Sequence, residues 1–193
     1  MGQDKAWMLW QGRPLIAHIV AAAQSQFPIR PQKIWINGRA SDIEACHEIS
    51  EYVALDMNAF AGLGPLAGIH TGLLHSDAEW LWILPCDALH IPSDLLQRLM
   101  AVALTDHPST CDAVIVETLP TPLQPRRTHP VWCLLHRRAA PHVASALTQR
   151  ELRLASFFER LSTRKLTLRQ GESIENINRP EDWPTELTQR PVD

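Results

Sequence analysis

The sequence predicts a three-layer α/β domain, and three observations carry that expectation. Short apolar runs of strand length alternate with longer runs whose apolar residues follow helical spacing. The run Trp80-Leu81-Trp82-Ile83-Leu84 has no polar residue, as expected of a strand covered on both faces in a parallel sheet. The length of 193 residues, with 45% apolar and 20% charged, suits a single domain over 1–193 with a large core.

The elements follow in order. After Gly12-Arg13-Pro14, the residues Leu15, Ile16, Ile19, Val20 and Ala23 repeat at helical spacing, which predicts a helix over 15–26 with Pro14 at its start. Lys33 to Asn37 is a short apolar run closed by Asn-Gly, so a strand runs into a turn there. A polar helix over 41–50 and a strand over 52–55 come next, followed by a loop to Gly64 and a helix from Pro65. Pro92-Ser93-Asp94 opens a helix with Leu95, Leu96, Leu99, Met100 and Ala103 on one stripe, and 112–116 reads as a strand. Further along, strands are expected at 131–135 and 165–168, and helices at 137–149, 154–161 and from Pro180 onward. No internal repeat is present.

Composition excludes several functions. No stretch nears the ~18 uncharged apolar residues of a membrane span, and acidic Asp4 stands where a signal peptide would be basic, so a cytoplasmic protein with no membrane association is expected. Cys46, Cys86, Cys111 and Cys133 form no CxxC pair, which argues for reduced core thiols rather than a zinc site or a disulfide framework. Residues 1–120 hold 6 basic and 13 acidic side chains, net −7, and residues 121–193 hold 12 and 8, net +4. The basic residues are spread out without interleaved aromatics, so a nucleic-acid partner is not expected. Neither GxSxG nor HExxH occurs, which disfavours a covalent hydrolase and a zinc protease.

In an open α/β sheet, ligands bind at the carboxyl ends of the strands. Asn37, Asp56 and Asp87 each follow a predicted strand there, so all three are candidates for one crevice. Asp87, next to a wholly apolar strand, is expensive unless paired, hydrogen-bonded or metal-bound, and Mg²⁺ needs only one or two carboxylates beside substrate phosphate oxygens. Gly62-Leu63-Gly64-Pro65-Leu66-Ala67-Gly68 sets glycines around a helix start, where a backbone can approach a ligand, although ordinary turns use glycine equally often. The two asparagines of Asn176-Ile177-Asn178 exceed what a single helix cap before Pro180 needs.

Taken in order, Asp4-Lys5, Gly12-Arg13-Pro14-Leu15, Gly64-Pro65-Leu66-Ala67-Gly68, Leu84-Pro85-Cys86-Asp87, His129-Pro130 and Asn176-Ile177-Asn178-Arg179-Pro180-Glu181-Asp182 resemble the successive blocks of the molybdenum cofactor guanylyltransferase (MobA) family. The resemblance implies a Rossmann-like nucleotidyltransferase fold with a mostly parallel central sheet. It implies transfer of GMP from GTP to molybdenum-molybdopterin, with pyrophosphate released and Mg²⁺ as cofactor. Carried over by position, Lys5 contacts the GTP phosphates, Asn37 and Asp56 the nucleotide, Asp87 both GTP and Mg²⁺, with Gly64 and Gly68 in the nucleotide loop and Asn176 and Asn178 on the pterin side. Molybdenum-insertion proteins and molybdoenzyme maturation chaperones are the partners it implies. Cytidylyl or sugar-phosphate transfer, and a non-catalytic homologue binding nucleotide or a maturation partner, remain alternatives.

The chain departs from the family's pattern at its start. Members of the family open with a strand and an LAGGxxxRMG loop, and Met1 falls on the methionine inside that motif. The first strand and most of the loop are therefore expected to be missing, leaving apolar strand edges exposed, low stability and weak GTP binding.

Overall fold

The computed structural model describes residues 5–57, 59–88, 90–105, 110–120, 125–172 and 174. The helix expected from Pro180 lies outside them. A short hairpin that sequence patterning missed comes first, β1 (Leu9–Trp10) against β2 (Arg13–Pro14). Helix α1 (Leu15–Gln24) follows and buries Leu15, Ile19, Val20 and Ala23. The strands β3 (Trp35–Gly38) and β4 (Tyr52–Leu55), joined through α2 (Ile43–Ile49), pair in parallel. Then come α3 (Pro65–His75), β5 (Trp80–Ile83), α4 (Leu95–Ala103), β6 (Ala113–Thr118), β7 (Arg127–His136), α5 (Ala140–Thr148), α6 (Leu154–Glu159) and β8 (Thr163–Thr167).

The second sheet has the order β5-β7-β6-β8. Its β6–β8 ladder is parallel, whereas β7 runs against both β5 and β6. Period-2 alternation explains why this sheet is buried on both sides. Val114, Val116, Trp132 and Leu134 pack with Leu95, Leu96 and Leu99 of α4, while Ala113, Ile115, Cys133 and Leu135 pack with Leu66, Ile69, Val143, Leu147, Phe157 and Phe158 from α3, α5 and α6. Helix–sheet–helix layering is thus built from alternate residues of the same strands.

Two expectations are corrected. Trp80–Ile83 is only half-buried at every position, because among the described residues β5 pairs with β7 alone and its other edge faces a cleft. Cys86 is exposed rather than a core thiol, since it sits in the turn after β5; Cys46, Cys111 and Cys133 are buried as expected.

The cleft separates the two sheets. It has a volume of about 960 Å³ and is lined by β3 and β5, by Gly68, Ile69 and Gly72 of α3, by Ile16, Ile19, Val20 and Ala23 of α1, and by Leu96 and Met100 of α4. Helix α1 is tied to α4 at the buried Gln26, whose side chain donates to the Pro92 carbonyl (2.9 Å) and accepts from the Leu96 N–H (3.0 Å). That bond satisfies an N–H of the first turn of α4, a group left without an intrahelical partner.

Helix α3 sets strand direction. Its Gly68 lies against the Asn37 amide at the end of β3, and its His75 ring lies 5.3 Å from the Trp35 ring at the start of β3. The helix therefore runs opposite to β3. After His75 the chain turns within residues 76–79 into β5, where Leu81 packs back on Gly72. Strands β3 and β5 thus run the same way, and their carboxyl ends share one end of the cleft.

Candidate active site

Lys5 opens a short 3₁₀ turn, Lys5–Trp7, ahead of the hairpin. The hairpin is anchored where the Leu15 N–H donates to the Met8 carbonyl at 2.9 Å. This places the Lys5 ammonium 3.4 Å from Asp87 Oδ2 in the turn after β5. The carboxylate that looked expensive beside an apolar strand is therefore paired, with about a sixth of its side chain still reaching solvent.

A second pair stands at the ends of β3 and β4. The Asn37 side-chain amide donates to Asp56 Oδ1 at 2.9 Å, and the Thr71 hydroxyl lies 3.1 Å from the same oxygen. Thr71, one turn beyond Gly68 on α3, was not singled out from the sequence, where an isolated threonine in a helix carries no signal. Its hydroxyl also reaches the Ala67 carbonyl at 3.0 Å. Burial lowers the pKa of neighbouring His70, and the Asp56 charge only partly opposes that shift.

The glycines act differently from one another. Gly64 caps α3 at φ 77°, ψ −159°, a conformation open almost only to glycine. Gly68 has ordinary helical backbone, but an added Cβ would lie 2.9 Å from Asn37 Nδ2. Its lack of a side chain makes room for the asparagine.

Asn37, Gly68, Thr71 and Asp87 line the same cleft, and Asp56 holds Asn37 from behind β3. Lys5 approaches from the N-terminal turn. Asn176 and Asn178 lie outside the described residues. Among the described residues no group of three or more His, Cys, Asp or Glu is gathered to hold a metal. A lone Asp87 fits an ion shared with a ligand's phosphate oxygens, the usual mode for Mg²⁺, and does not fit an all-protein cage.

The basic third of the chain has its own centre. Glu117, at the end of β6 and 3% exposed, meets Arg126 at 2.5 Å and Lys165 at 3.3 Å. Burial pushes its carboxyl up, but hydrogen bonds and charge from Arg126 and Lys165 outweigh this and hold it below the usual glutamate value.

Residues 1–165 match the MobA-like NTP transferase domain. The chain belongs to the MobA-like NTP transferase family. As a nucleotidyltransferase of this family, it is 29% identical over 164 residues to the molybdenum cofactor guanylyltransferase of Aliivibrio fischeri, covering 84% of this chain and 75% of that relative. The enzyme of the same name from Vibrio parahaemolyticus is 24% identical over 182 residues, 94% of this chain and 85% of the relative. Among solved structures, molybdopterin-guanine dinucleotide biosynthesis protein A of Archaeoglobus fulgidus superposes with a TM-score of 0.67 at 21% identity, over 94% of this chain and 87% of that one. The 4-diphosphocytidyl-2C-methyl-D-erythritol synthase of Anaerococcus prevotii gives the same TM-score at 13% identity, over 92% and 89%. These neighbours establish the Rossmann-like nucleotidyltransferase fold. The described residues also contain no helix long and apolar enough to cross a membrane.

Proposed function

We propose that the protein transfers GMP from GTP to molybdenum-molybdopterin, forming the guanine dinucleotide cofactor and releasing pyrophosphate. The observation that carries this reading is the pairing of Lys5 with Asp87 at the mouth of the cleft that Asn37 also lines, in a chain whose relatives are named molybdenum cofactor guanylyltransferases.

In-line attack by the pterin phosphate on the α-phosphorus of GTP calls for positioning and charge neutralisation rather than a protein nucleophile. The Lys5 ammonium neutralises phosphate charge. Asn37, held by Asp56, orients the nucleotide through hydrogen bonds, and Gly64 and Gly68 keep the start of α3 open to it. Asp87 would hold Mg²⁺ against the triphosphate, where the ion supplies charge neutralisation and a template for the leaving pyrophosphate. Asn176 and Asn178 are assigned to the pterin side, and the net +4 charge of residues 121–193 supports binding of an anionic acceptor there. Molybdenum-insertion proteins and maturation chaperones would deliver the acceptor and take the product in the cytoplasm.

The test is incubation of the purified chain with molybdenum-loaded molybdopterin, MgCl₂ and either GTP or CTP. Formation of the guanine dinucleotide with stoichiometric pyrophosphate is expected. Preference for CTP would move the protein to cytidylyl transfer, and binding of nucleotide without turnover would make it a non-catalytic homologue.

A further inference from the structure

Glu117 is a buried carboxylate that the proposed reaction does not use, and it stands at the same end of the second sheet as Asp87. Strand β7 runs against both β5 and β6, so β5, β6 and β8 all point the same way. Ile83, Cys133 and Ile115 are in register across the sheet, which puts Glu117 two residues beyond the level where β5 ends. Since β6 lies two strands over from β5, the sideways distance is roughly 10 Å at ~4.8 Å per strand. Alternation along β6 turns Glu117 to the face of Ala113 and Ile115, on which α3 also packs.

A carboxylate buried there is costly unless it is partnered. One oxygen of Glu117 accepts from Arg126 Nη1 at 2.5 Å and from Thr167 Oγ1 at 3.3 Å, and the other accepts from Lys165 Nζ at 3.3 Å. Both cations keep about half of their side chains in solvent, 55% for Arg126 and 54% for Lys165. One buried negative charge thus fixes two half-exposed cations and neutralises only one of them. Arg127, which follows Arg126 in the chain and is exposed at the first position of β7, adds a further positive charge. Cations held at a set spacing, with donors still facing solvent, are suited to a charge-assisted grip on an anion.

We propose that Arg126 and Lys165 bind the anionic end of the acceptor that is remote from its reacting phosphate, the metal–dithiolene end of molybdenum-molybdopterin, and that Glu117 is the positioning residue that holds both cations. The assignment rests on the proposed reaction and adds acceptor-binding residues to it. In-line attack places the acceptor phosphate at the α-phosphorus, opposite the leaving pyrophosphate and therefore beside Lys5 and Asp87. The other negative charge of the acceptor then calls for a cation further across the sheet, where the ends of β6 and β8 supply two.

Two measurements on the full chain test this: steady-state transfer with GTP and MgCl₂, and equilibrium binding of metal-loaded and metal-free molybdopterin without nucleotide. The double variant Arg126→Gln with Lys165→Gln is expected to raise both KM and Kd for the loaded acceptor roughly tenfold or more, the scale of a lost hydrogen bond to a charged group, and to leave KM for GTP unchanged. Metal-free molybdopterin should lose less. Exchanging the two cations, Arg126→Lys with Lys165→Arg, keeps both charges and should restore most of the affinity. Glu117→Gln releases both cations from their anchor and is expected to weaken acceptor binding in spite of the added positive charge. If the double variant does not fold, Lys165→Gln alone, a change at a half-exposed side chain, serves for the same comparison. Unchanged acceptor binding, an equal loss for the metal-free form, or a parallel rise in KM for GTP would each overturn the proposal, and tighter binding by Glu117→Gln would remove its positioning role. GMP transfer by a parent chain that is indifferent to the cation pair defeats this assignment alone. Acceptor binding by a parent chain that transfers no GMP defeats the proposed reaction, and the Kd comparison still decides the cation pair.

Discussion

The Lys5 ammonium and the Asp87 carboxylate meet at 3.4 Å across 82 residues of sequence. The contact joins the N-terminal turn to the carboxyl end of β5, so the cation proposed to meet phosphate and the carboxylate proposed to hold the metal stand at one mouth. In the absence of nucleotide each neutralises the other. A bound triphosphate and its cation would take both over, which makes the pair a preformed element of charge balance.

Asp87→Asn is therefore expected to lower guanylyl transfer by roughly 100-fold or more, the scale seen when a single electrostatic group is removed from a transition state. Stability should change by no more than about 1 kcal/mol, because the ion pair reaches solvent. Steady-state rates alongside thermal melts check both parts. Full activity in the variant would remove Asp87 from the site.

Gly68→Ala tests the Asn37–Asp56 pair without touching either residue. The new methyl group would lie 2.9 Å from Asn37 Nδ2, so the amide must swing away and release Asp56. The expected outcome is a higher KM for nucleotide, with a stability loss of about 1 kcal/mol, that of one hydrogen bond. An unchanged KM would show that the orientation of Asn37 does not serve the nucleotide.

Gly64→Ala should act on the fold instead. At φ 77° and ψ −159° a Cβ is strained, and the cost is about 1 to 3 kcal/mol with nothing nearby to clash. Urea denaturation midpoints measure it, and a neutral effect would mean that the start of α3 relaxes freely.

Glu117 predicts the acid limb of stability. Its folded pKa lies below its unfolded value, so the stabilisation is present above the ordinary glutamate range and is lost as pH falls through the folded value. Melting temperature should drop more steeply below about pH 4.5 in the parent chain than in Glu117→Gln, which has no carboxyl to protonate. Parallel acid limbs would assign the loss to other groups.

Much of the fold was legible in the residues. Apolar patterning located α1 and α4 and the strands at β3, β4 and β6 to within a few positions, because apolar spacing reports directly which face of an element is buried, and Pro65 after the glycine loop marked the start of α3. The hairpin of β1 and β2 escaped notice because two-residue strands are too short to show a period. The direction of β7 was invisible for another reason: an apolar run with both faces covered reads alike in parallel and antiparallel ladders.

The candidate site divides in the same way. By itself the sequence determined which side chains stand at strand ends, namely Asn37, Asp56 and Asp87, because the end of an apolar run marks where the sheet gives way to solvent. Only the tertiary structure decided that Asn37 and Thr71 both donate to Asp56, that Asp87 is held by Lys5, and that β3 and β5 stand apart with a cleft between them. Those relationships join residues 15 to 82 positions apart. They depend on how α3 and α1 pack across two sheets, and no local pattern encodes that packing.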